Sequence, residues 1–248
     1  MLSKHIFKQS TKSSWKLWMI ITGMFAFFVT IMVFMAPGIA DRVDDFSLLQ
    51  MLAEGVFSIQ GGMFGMMLIL IYAITVGNKL VVKQIDQGTM SFILNTPTTR
   101  KQIIFSKTLF YISSILLMII VVGLFVTVSS VLVDIELNLA RLWLVLLGFF
   151  LYALAVSGIC FAASCWFNKA GYSIMLGAGL PIIFFLFSSL SIMEDLNWMR
   201  FLSINTLFDA IGVVNGATFI PQFIALFAIG VACYIVGIIK FLKKDLPL

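Results

Sequence analysis

Six long apolar segments dominate this sequence and constrain its fold more than any other feature. Each reaches the length of roughly 20 residues that an α-helix needs to cross the hydrocarbon layer of a membrane. None contains Asp, Glu or Arg, and Lys16, near one end, is the only lysine within them. The segments are residues 15–36, 56–77, 108–133, 142–167, 172–193 and 219–239. The sequence therefore predicts an all-α membrane protein with six transmembrane helices.

The composition supports the same class and argues against a metal site or a disulfide framework. Hydrophobic residues make up 61% of the 248 residues and charged residues 11%, and a soluble domain of this size cannot bury so much apolar surface. The only histidine, His5, has no neighbouring ligands in the sequence. The cysteines Cys160, Cys165 and Cys233 all lie in apolar segments, so we expect core thiols and no metal.

Charged residues are divided unequally between the two sides of the predicted bundle. Thirteen of the 16 basic residues fall on the side of the termini, and nine of the 11 acidic residues fall on the other side. Basic residues near span ends favour the cytoplasm, so we expect a multi-pass protein of the cell membrane with both termini cytoplasmic. The net charge of +5 then reflects topology, and we expect no nucleic-acid partner. The first segment exceeds the usual signal-peptide core of about 7–15 residues, so we expect it to stay uncleaved.

Residues 1–14 are predicted to form an amphipathic helix that lies on the membrane surface. Lysines recur in it every four residues and therefore share one helical face, which can meet anionic lipid headgroups. These lysines are Lys4, Lys8 and Lys12. Trp15 and Trp18 mark the turn into the first span, because tryptophan anchors helices at membrane interfaces. A disordered basic tail is the alternative interpretation.

The polar connection 78–107, between the second and third spans, is the main candidate functional site. Five of its residues are Lys or Arg, and Asp86 is its only acidic residue. Asp86 can accept a backbone N–H at the start of a short helix over residues 88–94, which would present an apolar face beside a basic flank. That face consists of Met90, Phe92, Ile93 and Leu94. A basic loop that only fixes the topology is the alternative.

The same connection contains two candidate starts for the helix that enters the third span. Thr96 can cap a helix that has Pro97 at its first position, whereas Thr99 can form a capping box with Gln102. In either case the helix continues into the third span. The expected result is a short transverse helix held between two rigid helices.

Small residues and one proline mark places where the spans can pack closely or bend. Small residues four apart let another helix approach the backbone, and the pairs are Gly61 with Gly65, Gly158 with Ala162, and Ala228 with Ala232. The fifth span contains Gly177, Gly179 and Pro181. Proline removes a backbone donor and clashes with the preceding turn, so we expect a kink near Gly177. This kink is either a hinge for gating or a static bend.

Residues 194–218, before the sixth span, are expected to contain a pair of short helices that are either re-entrant or lie on the membrane surface. The segment is too apolar for a free loop and too interrupted by polar residues to span the membrane. Irregular backbone at membrane depth must be covered by protein, so we expect this segment to pack against the bundle.

A sequence pattern in the polar connection resembles a known family. Residues 86–107 read D-x-G-T-x-x-x-x-L-x-T-P-x-x-R-x-x-I-x-x-S-K, which is similar to the cytoplasmic loop of ABC-2-type permeases, the membrane subunits of ATP-binding-cassette exporters. The resemblance covers the whole chain, so we expect a single domain over residues 1–248. Residues 158–165, with Tyr172 and Ser173, resemble a branch of the family from Gram-positive bacteria. Family members often carry an acidic residue where this chain has Gln84.

The resemblance implies a partner, an activity and a set of contact residues. Two permease subunits, identical or paralogous, would pair in the membrane, and the loop helix of each would insert into a separate ABC ATPase subunit that binds ATP and Mg²⁺. The chain itself has no G-x-x-x-x-G-K-[ST] motif, so we expect it to be no enzyme and to bind no cofactor. The implied ATPase-coupling residues are Asp86, Gly88, Thr89, Phe92, Ile93, Leu94, Pro97, Arg100 and Lys107.

Three other functions were weighed against export driven by a separate ATPase. An ion-coupled secondary transporter usually keeps an ionisable residue near the membrane midplane, and no predicted span contains a carboxylate. An intramembrane enzyme would need catalytic motifs such as H-E-x-x-H or G-x-S-x-G, which are absent from the sequence. A structural subunit of another membrane complex remains an alternative. Polar residues scattered through the spans suggest an amphipathic peptide, a drug or a lipid-like molecule as substrate; they are Thr22, Thr30, Ser58, Gln60, Ser188 and Ser189.

Overall fold

The protein is a bundle of α-helices in the computed structural model, which describes residues 3–40, 47–57, 64–90, 99–134, 137–191, 193–216 and 219–244. Its elements in chain order are α1 (Lys4–Ala40), α2 (Leu48–Leu52) with a π-helical turn (Ala53–Phe57), α3 (Phe64–Leu80), α4 (Val82–Asp86), α5 (Arg100–Leu132), α6 (Leu139–Trp166), α7 (Ala170–Leu190), two 3₁₀ helices (Glu194–Leu202 and Asn205–Leu207), α8 (Ala210–Val214) and α9 (Ile220–Lys243). No strand occurs in the described ranges.

Six helical segments of the described chain are long and apolar enough to cross a membrane. They are α1, the pair α3–α4, α5, α6, α7 and α9, and they confirm the predicted all-α bundle of six spanning helices. The exposed surface of α1, α5, α7 and α9 carries large apolar side chains such as Phe27, Val131 and Met175. A bilayer is the environment in which such a surface is stable.

The described part of the second spanning helix runs from α3 into α4. The expected span was 56–77, whereas α3 begins at Phe64 and α4 extends it to Asp86. Val56 lies instead in the π-helical turn that follows α2, where it is buried together with Leu52 and Phe57. The predicted start of this span at residue 56 stays a prediction, because residues 58–63 lie outside the described residues.

The first helix is continuous from Lys4 to Ala40, so the separate surface helix predicted for residues 1–14 is corrected to the first turns of the same helix. No break in helical structure occurs at Trp15 or Trp18. The Trp18 indole N–H donates a hydrogen bond of 2.8 Å to the Ser114 carbonyl. This tryptophan therefore fixes α1 to α5, a contact that its position in the sequence did not indicate.

Helix α6 lies at the centre of the bundle and packs most closely against α9. In its most apolar window, 78% of the residues are buried, compared with 28% for α7 and for α9. A Cβ atom on Gly158 of α6 would lie only 2.9 Å from the Gly230 carbonyl oxygen of α9, and one on Gly237 would lie 3.2 Å from the Ala162 Cα. Gly158 and Ala162 therefore mediate packing within this subunit.

The small residues of the other two predicted pairs have different positions. A Cβ atom on Gly65 would lie 2.7 Å from the Val56 carbonyl oxygen, so α3 approaches the π-helical turn closely at this point. Its predicted partner Gly61 lies outside the described residues. Ala228 and Ala232 lie on the exposed surface of α9, away from the contact with α6.

The segment before α9 consists of short helices, as expected, but three of them are described rather than two. Asp209 caps α8, because its Oδ1 accepts the Gly212 N–H over 3.0 Å. The Arg141 guanidinium donates to the Val214 carbonyl over 2.6 Å at the other end of α8. A re-entrant or surface position of this segment in the membrane stays a prediction.

Both described chain ends and the 2–3 and 4–5 connections meet at one end of the bundle, which we call the basic end. The Ser3 N–H donates to Ser106 Oγ over 3.0 Å, which joins the start of α1 to the first turns of α5. Arg100 at the start of α5 donates to the carbonyl of Lys244, just after α9, over 3.2 Å. The basic end therefore collects the two termini around the candidate functional connection.

Candidate functional site

The candidate site is the connection 78–107 at the basic end, of which the structure describes residues 78–90 and 99–107. The predicted docking residues Phe92, Ile93, Leu94 and Pro97 lie outside the described residues. Their role in ATPase coupling therefore stays a prediction. The two described flanks show how the connection is attached to the bundle.

The second spanning helix is interrupted just before the connection. Helix α3 ends at Leu80, Val81 has the non-helical angles φ −125° and ψ −72°, and α4 begins at Val82. Side chains of other helices supply partners at this break. The Val82 N–H donates to Ser164 Oγ over 3.1 Å, and Lys107 Nζ donates to the Leu80 carbonyl over 2.7 Å. The interruption is stable because buried backbone groups, which are costly to leave unpaired, are satisfied.

Lys107 is buried, with only 1% of its surface exposed. Its ammonium group also donates to the side-chain carbonyl of Gln84 and lies 3.8 Å from Met90 Sδ. None of these partners is a carboxylate, but the carbonyl end of α3 favours a cation through the helix dipole. Lys107 therefore fixes the start of α5 to the end of α3 and is covered by this chain.

Asp86 caps the start of α7, a contact that the sequence did not indicate. It is the last residue of α4, and its Oδ2 accepts the Ala170 N–H at the start of α7 over 3.3 Å. The N-cap residue of α7, Lys169, provides no side-chain cap, so Asp86 supplies one, and its charge interacts favourably with the positive end of the helix dipole. Residues 91–94 of the helix that Asp86 was predicted to cap lie outside the described residues, so that cap stays a prediction.

Gly88 and Thr89 determine how the chain leaves α4. Gly88 has φ +67°, in the left-handed region that glycine adopts without a steric penalty, and its N–H donates to the Ile85 carbonyl over 3.0 Å. Thr89 Oγ1 donates to the Gln84 carbonyl over 3.2 Å. These contacts set the direction in which the chain enters the predicted docking segment.

The helix that leaves the connection starts with the second of the two predicted caps. Thr99 and Gln102 form a complete capping box, in which Thr99 Oγ1 accepts the Gln102 N–H over 3.3 Å and Gln102 Oε1 accepts the Thr99 N–H over 3.1 Å. Arg100 is the first residue of α5 and reaches the carbonyl of Lys244. The start of α5 is thus held by its own cap and by the end of the chain.

Two lysines at the end of the chain hold the end of α6. Lys244 Nζ donates to the Cys165 carbonyl over 3.1 Å and to the Phe167 carbonyl over 2.7 Å. Lys240 Nζ lies 4.4 Å from the centre of the Trp166 ring, a distance at which a cation–π interaction is favourable. The terminal basic residues thus stabilise the helix ends in addition to their predicted effect on topology.

The comparison with known families agrees with this geometry. The family described as ABC-2 type transporter matches residues 1–219, which includes all of the candidate connection and the first five spanning segments. The chain belongs to the ABC-2 type transporter family. No curated protein matches it in sequence. The protein is therefore a membrane permease of an ABC transporter, a transmembrane subunit that is distinct from the ATPase with which such permeases normally pair.

Gln84 is the side-chain partner of the buried Lys107 ammonium group. Its side-chain carbonyl accepts a hydrogen bond from Lys107, and the residue is partly buried. A neutral partner for the Lys107 ammonium therefore replaces the ion pair that an acidic residue would form there.

The predicted membrane-surface residues of the permease form one exposed face at the start of α1. Lys4, Lys8 and Lys12 are exposed, and so is Trp15. The opposite face of the same turns is buried, with Ile6 at 4% exposure, and Phe7 packs edge-on against Phe110 of α5 with ring centres 5.7 Å apart. These turns are therefore attached to α5 on one side, and contact of the lysines with lipid stays a prediction.

Pro181 lies inside α7 and has no backbone N–H to donate to the carbonyl of the preceding turn. A thiol from α6 donates to that carbonyl instead. The residue four positions earlier is Gly177, and the Cys160 thiol donates to its carbonyl over 3.1 Å. Gly177 also permits close packing, because a Cβ atom there would lie 3.2 Å from Ala163 Cβ. Gly179, by contrast, faces open space. Pro181 and Gly177 thus act together at the contact between α6 and α7.

A double-mutant cycle tests this pairing of thiol and proline. Pro181→Ala restores an N–H that can donate to the Gly177 carbonyl. Cys160→Ala should therefore cost less stability in the Pro181→Ala background than in the wild type. We expect the two losses in the free energy of unfolding to differ by about 0.5–1.5 kcal/mol. Thermal unfolding of the four variants in detergent measures the coupling, because the packing defect at Cys160 is common to both backgrounds. Equal losses in both backgrounds would contradict the pairing.

The same substitution separates the two interpretations of the bend. If Pro181 is a gating hinge, Pro181→Ala lowers transport while assembly with the ATPase is retained. If Pro181 is a static bend, transport is unchanged.

Several buried polar contacts in the middle of the permease were not anticipated from the sequence. Tyr72 donates to Ser114 Oγ over 2.7 Å, and Tyr111 donates to the Ala73 carbonyl over 2.6 Å, so α3 and α5 are joined twice. The Ser157 and Tyr234 hydroxyls lie 2.8 Å apart and join α6 to α9. Tyrosine and serine within apolar spans were the available signal, since buried hydroxyl groups usually find a partner.

A further polar contact links the second span to α7. Ser173 Oγ donates to Asn78 Oδ1 over 2.6 Å, and Asn78 Nδ2 donates to the Ile74 carbonyl within α3 over 2.9 Å. Asn78 and Asp86, which lie at different turns of the second span, therefore both connect this span to the start of α7. The connection 78–107 is attached in this way to α6 and α7 as well as to α5.

Proposed function

We propose that the permease is the membrane subunit of an ATP-driven exporter, and that its basic end faces the cytoplasm and receives a separate ATPase subunit at the connection 78–107. ATP and Mg²⁺ would be bound by that ATPase. The permease would act as a pair, either with a second copy or with a paralogue.

The attachment of the connection to the bundle is the observation that supports this proposal best. Lys107 joins the two flanks, because it connects α5 to the end of α3, and on the first flank Asp86 joins α4 to α7. On the other flank, Arg100 joins α5 to the end of α9. A displacement of the docking segment would therefore be transmitted to several spanning helices together, which a loop that only fixes topology does not require.

An ion-coupled secondary transporter is the rival, and the buried polar groups of the permease argue against it. Proton- or sodium-coupled carriers use ionisable side chains at membrane depth. Away from Lys107 at the basic end, the polar contacts described within the spans are made by uncharged side chains, as in the pairs Tyr72–Ser114 and Ser157–Tyr234. These groups have no charge to couple to an ion gradient.

An amphipathic peptide, a drug or a lipid-like molecule is the proposed substrate class. Three hydroxyl groups buried in the apolar spans have no hydrogen-bond partner; they belong to Thr22, Thr30 and Ser188. Isolated hydroxyl groups in an apolar setting suit a molecule with a large apolar part and few polar groups better than a sugar or an ion.

Transport in inverted membrane vesicles tests the energy source. With the permease and its ATPase present, we expect uptake of a fluorescent amphipathic peptide to require ATP hydrolysis and to persist when a protonophore collapses the proton gradient. An ATPase with a catalytically inactive Walker-B motif should stop uptake. Uptake driven by an imposed proton or sodium gradient with the purified permease alone would overturn the proposal.

A further inference from the structure

A small polar cavity lies at the basic end between α1, the break after α3 and the start of α5. Its volume is about 40 Å³. Among the residues that line it, those with polar side chains include Ser10, Ser13, Ser14, Lys79, Gln84 and Lys107. Among the described residues, this lining contains two lysines and no acidic residue, which gives it an excess of positive charge.

Lys107, the buried lysine, has one N–H donor at this cavity without an oxygen acceptor. An ammonium group carries three N–H donors, and the oxygen partners of Lys107 Nζ are the Leu80 carbonyl and the Gln84 side chain. The third contact is to Met90 Sδ at 3.8 Å, and a thioether is a weak acceptor. An anionic oxygen in the cavity would be a much stronger acceptor for this donor.

A buried hydroxyl group of α1 is unpaired at the same place. Ser14 is 1% exposed, it lines the cavity, and its Oγ has no hydrogen-bond partner. Lys79 also lines the cavity, donates to the Ser13 carbonyl and keeps two donors for another acceptor. The cavity thus offers a hydroxyl donor and two cations, which is the chemistry that binds an oxyanion.

The position of the cavity along α1 agrees with an anion at the level of lipid headgroups. Ser14 directly precedes the exposed Trp15, and tryptophan side chains prefer the membrane interface. Lys8 and Lys12 are exposed on the neighbouring face of α1 and would raise the local concentration of anionic groups. The size of the cavity admits the oxygen atoms of one such group and leaves the rest of its molecule outside.

We propose that this cavity is a binding site for one phosphate group, supplied either by the headgroup of an anionic phospholipid or by free phosphate. The bound oxygen atoms accept hydrogen bonds from Ser14, Lys79 and Lys107. The phosphate thereby connects α1 to the break after α3 and to the start of α5, at the base of the connection 78–107. The site requires neither the ATPase nor a transport substrate.

The test compares four variants of the full-length permease in detergent. Ser14→Val removes the unpaired hydroxyl and fills part of the cavity, and its control is Thr22→Val, which removes another unpaired buried hydroxyl of α1. Lys79→Gln removes a lining charge, and its control is Lys101→Gln, which removes an exposed charge at the same end. The melting temperature of each variant without ligand checks folding, and Lys79→Gln carries the test if Ser14→Val fails to fold.

Two probes distinguish the sources of the phosphate. Native mass spectrometry measures retention of phosphatidylglycerol against phosphatidylethanolamine, and the shift of melting temperature with inorganic phosphate measures the free ion. We expect Ser14→Val and Lys79→Gln each to weaken binding about tenfold relative to their controls. This factor corresponds to the loss of one hydrogen bond to the bound phosphate, which is charge-assisted in the case of Lys79. A loss in the lipid arm supports a headgroup, and a loss in the phosphate arm alone supports the free ion. The proposal would be overturned if Ser14→Val and Lys79→Gln bound both probes as well as their controls do. That result is expected for a cavity that holds only water.

Discussion

Replacing Phe92 and Ile93 together by Asp is expected to abolish capture of the ATPase subunit by the permease. A few buried apolar anchors normally supply most of the energy of an interface, at about 2 kcal/mol or more each, and a carboxylate in their place would be desolvated without a partner. Two such changes should weaken the complex on the order of a thousandfold. Co-purification of a tagged permease with its ATPase from detergent-solubilised membranes measures the effect.

The control for this prediction keeps the apolar character of the docking face. Phe92→Leu with Ile93→Val should retain capture, and both double variants should insert into the membrane normally, because residues 92 and 93 lie outside every predicted span. ATPase capture by the aspartate variant at the wild-type level would show that the docking helix lies elsewhere. The connection would then serve the topology alone.

Lys107→Met is expected to destabilise the permease by about 2–4 kcal/mol, the largest effect on stability that we predict for one side chain at the basic end. Methionine has a similar length but no donor, so the Leu80 carbonyl and the Gln84 side chain, which Lys107 now contacts, lose a strong hydrogen bond. Burial of the Leu80 carbonyl prevents water from replacing it without a change in packing. Thermal unfolding in detergent measures the loss.

The matched control is Lys101→Met, because Lys101 lies in the first turn of the same helix but is exposed. It should change stability by less than about 0.5 kcal/mol, as is usual for surface positions. Gln84→Glu should keep the contact with Lys107 as an ion pair and should fold. If Lys107→Met unfolds at the same temperature as Lys101→Met, the contact with Leu80 does not stabilise the bundle.

These predictions concern two roles that the polar connection combines. The docking residues near Phe92 are predicted from apolar side chains in a basic context, whereas Lys107 and Asp86 act in the structure as contacts between helices. Lys107 is covered by its own chain, so its effect on the ATPase is indirect and passes through the position of α5. Asp86 remains exposed, although its carboxylate caps α7.

Features that depend on local sequence were predicted well. The spanning helices follow from long apolar segments, since an unpaired backbone is too costly in hydrocarbon. The Thr99–Gln102 capping box follows from a spacing of three residues.

The amino-acid sequence by itself determined that this protein is a six-span helical bundle with a basic end, because hydrophobicity and charge act locally and sum along each segment. Only the tertiary structure decided which side chains repair the helix ends. Lys107 reaches Leu80, Asp86 reaches Ala170, and the Cys160 thiol reaches the Gly177 carbonyl. Each of these partners is 17 to 84 residues away. Such pairs form where packed helices bring a buried donor close to a carbonyl that has no partner in its own helix. The sequence separation of these pairs follows no regular period, so the sequence does not indicate them.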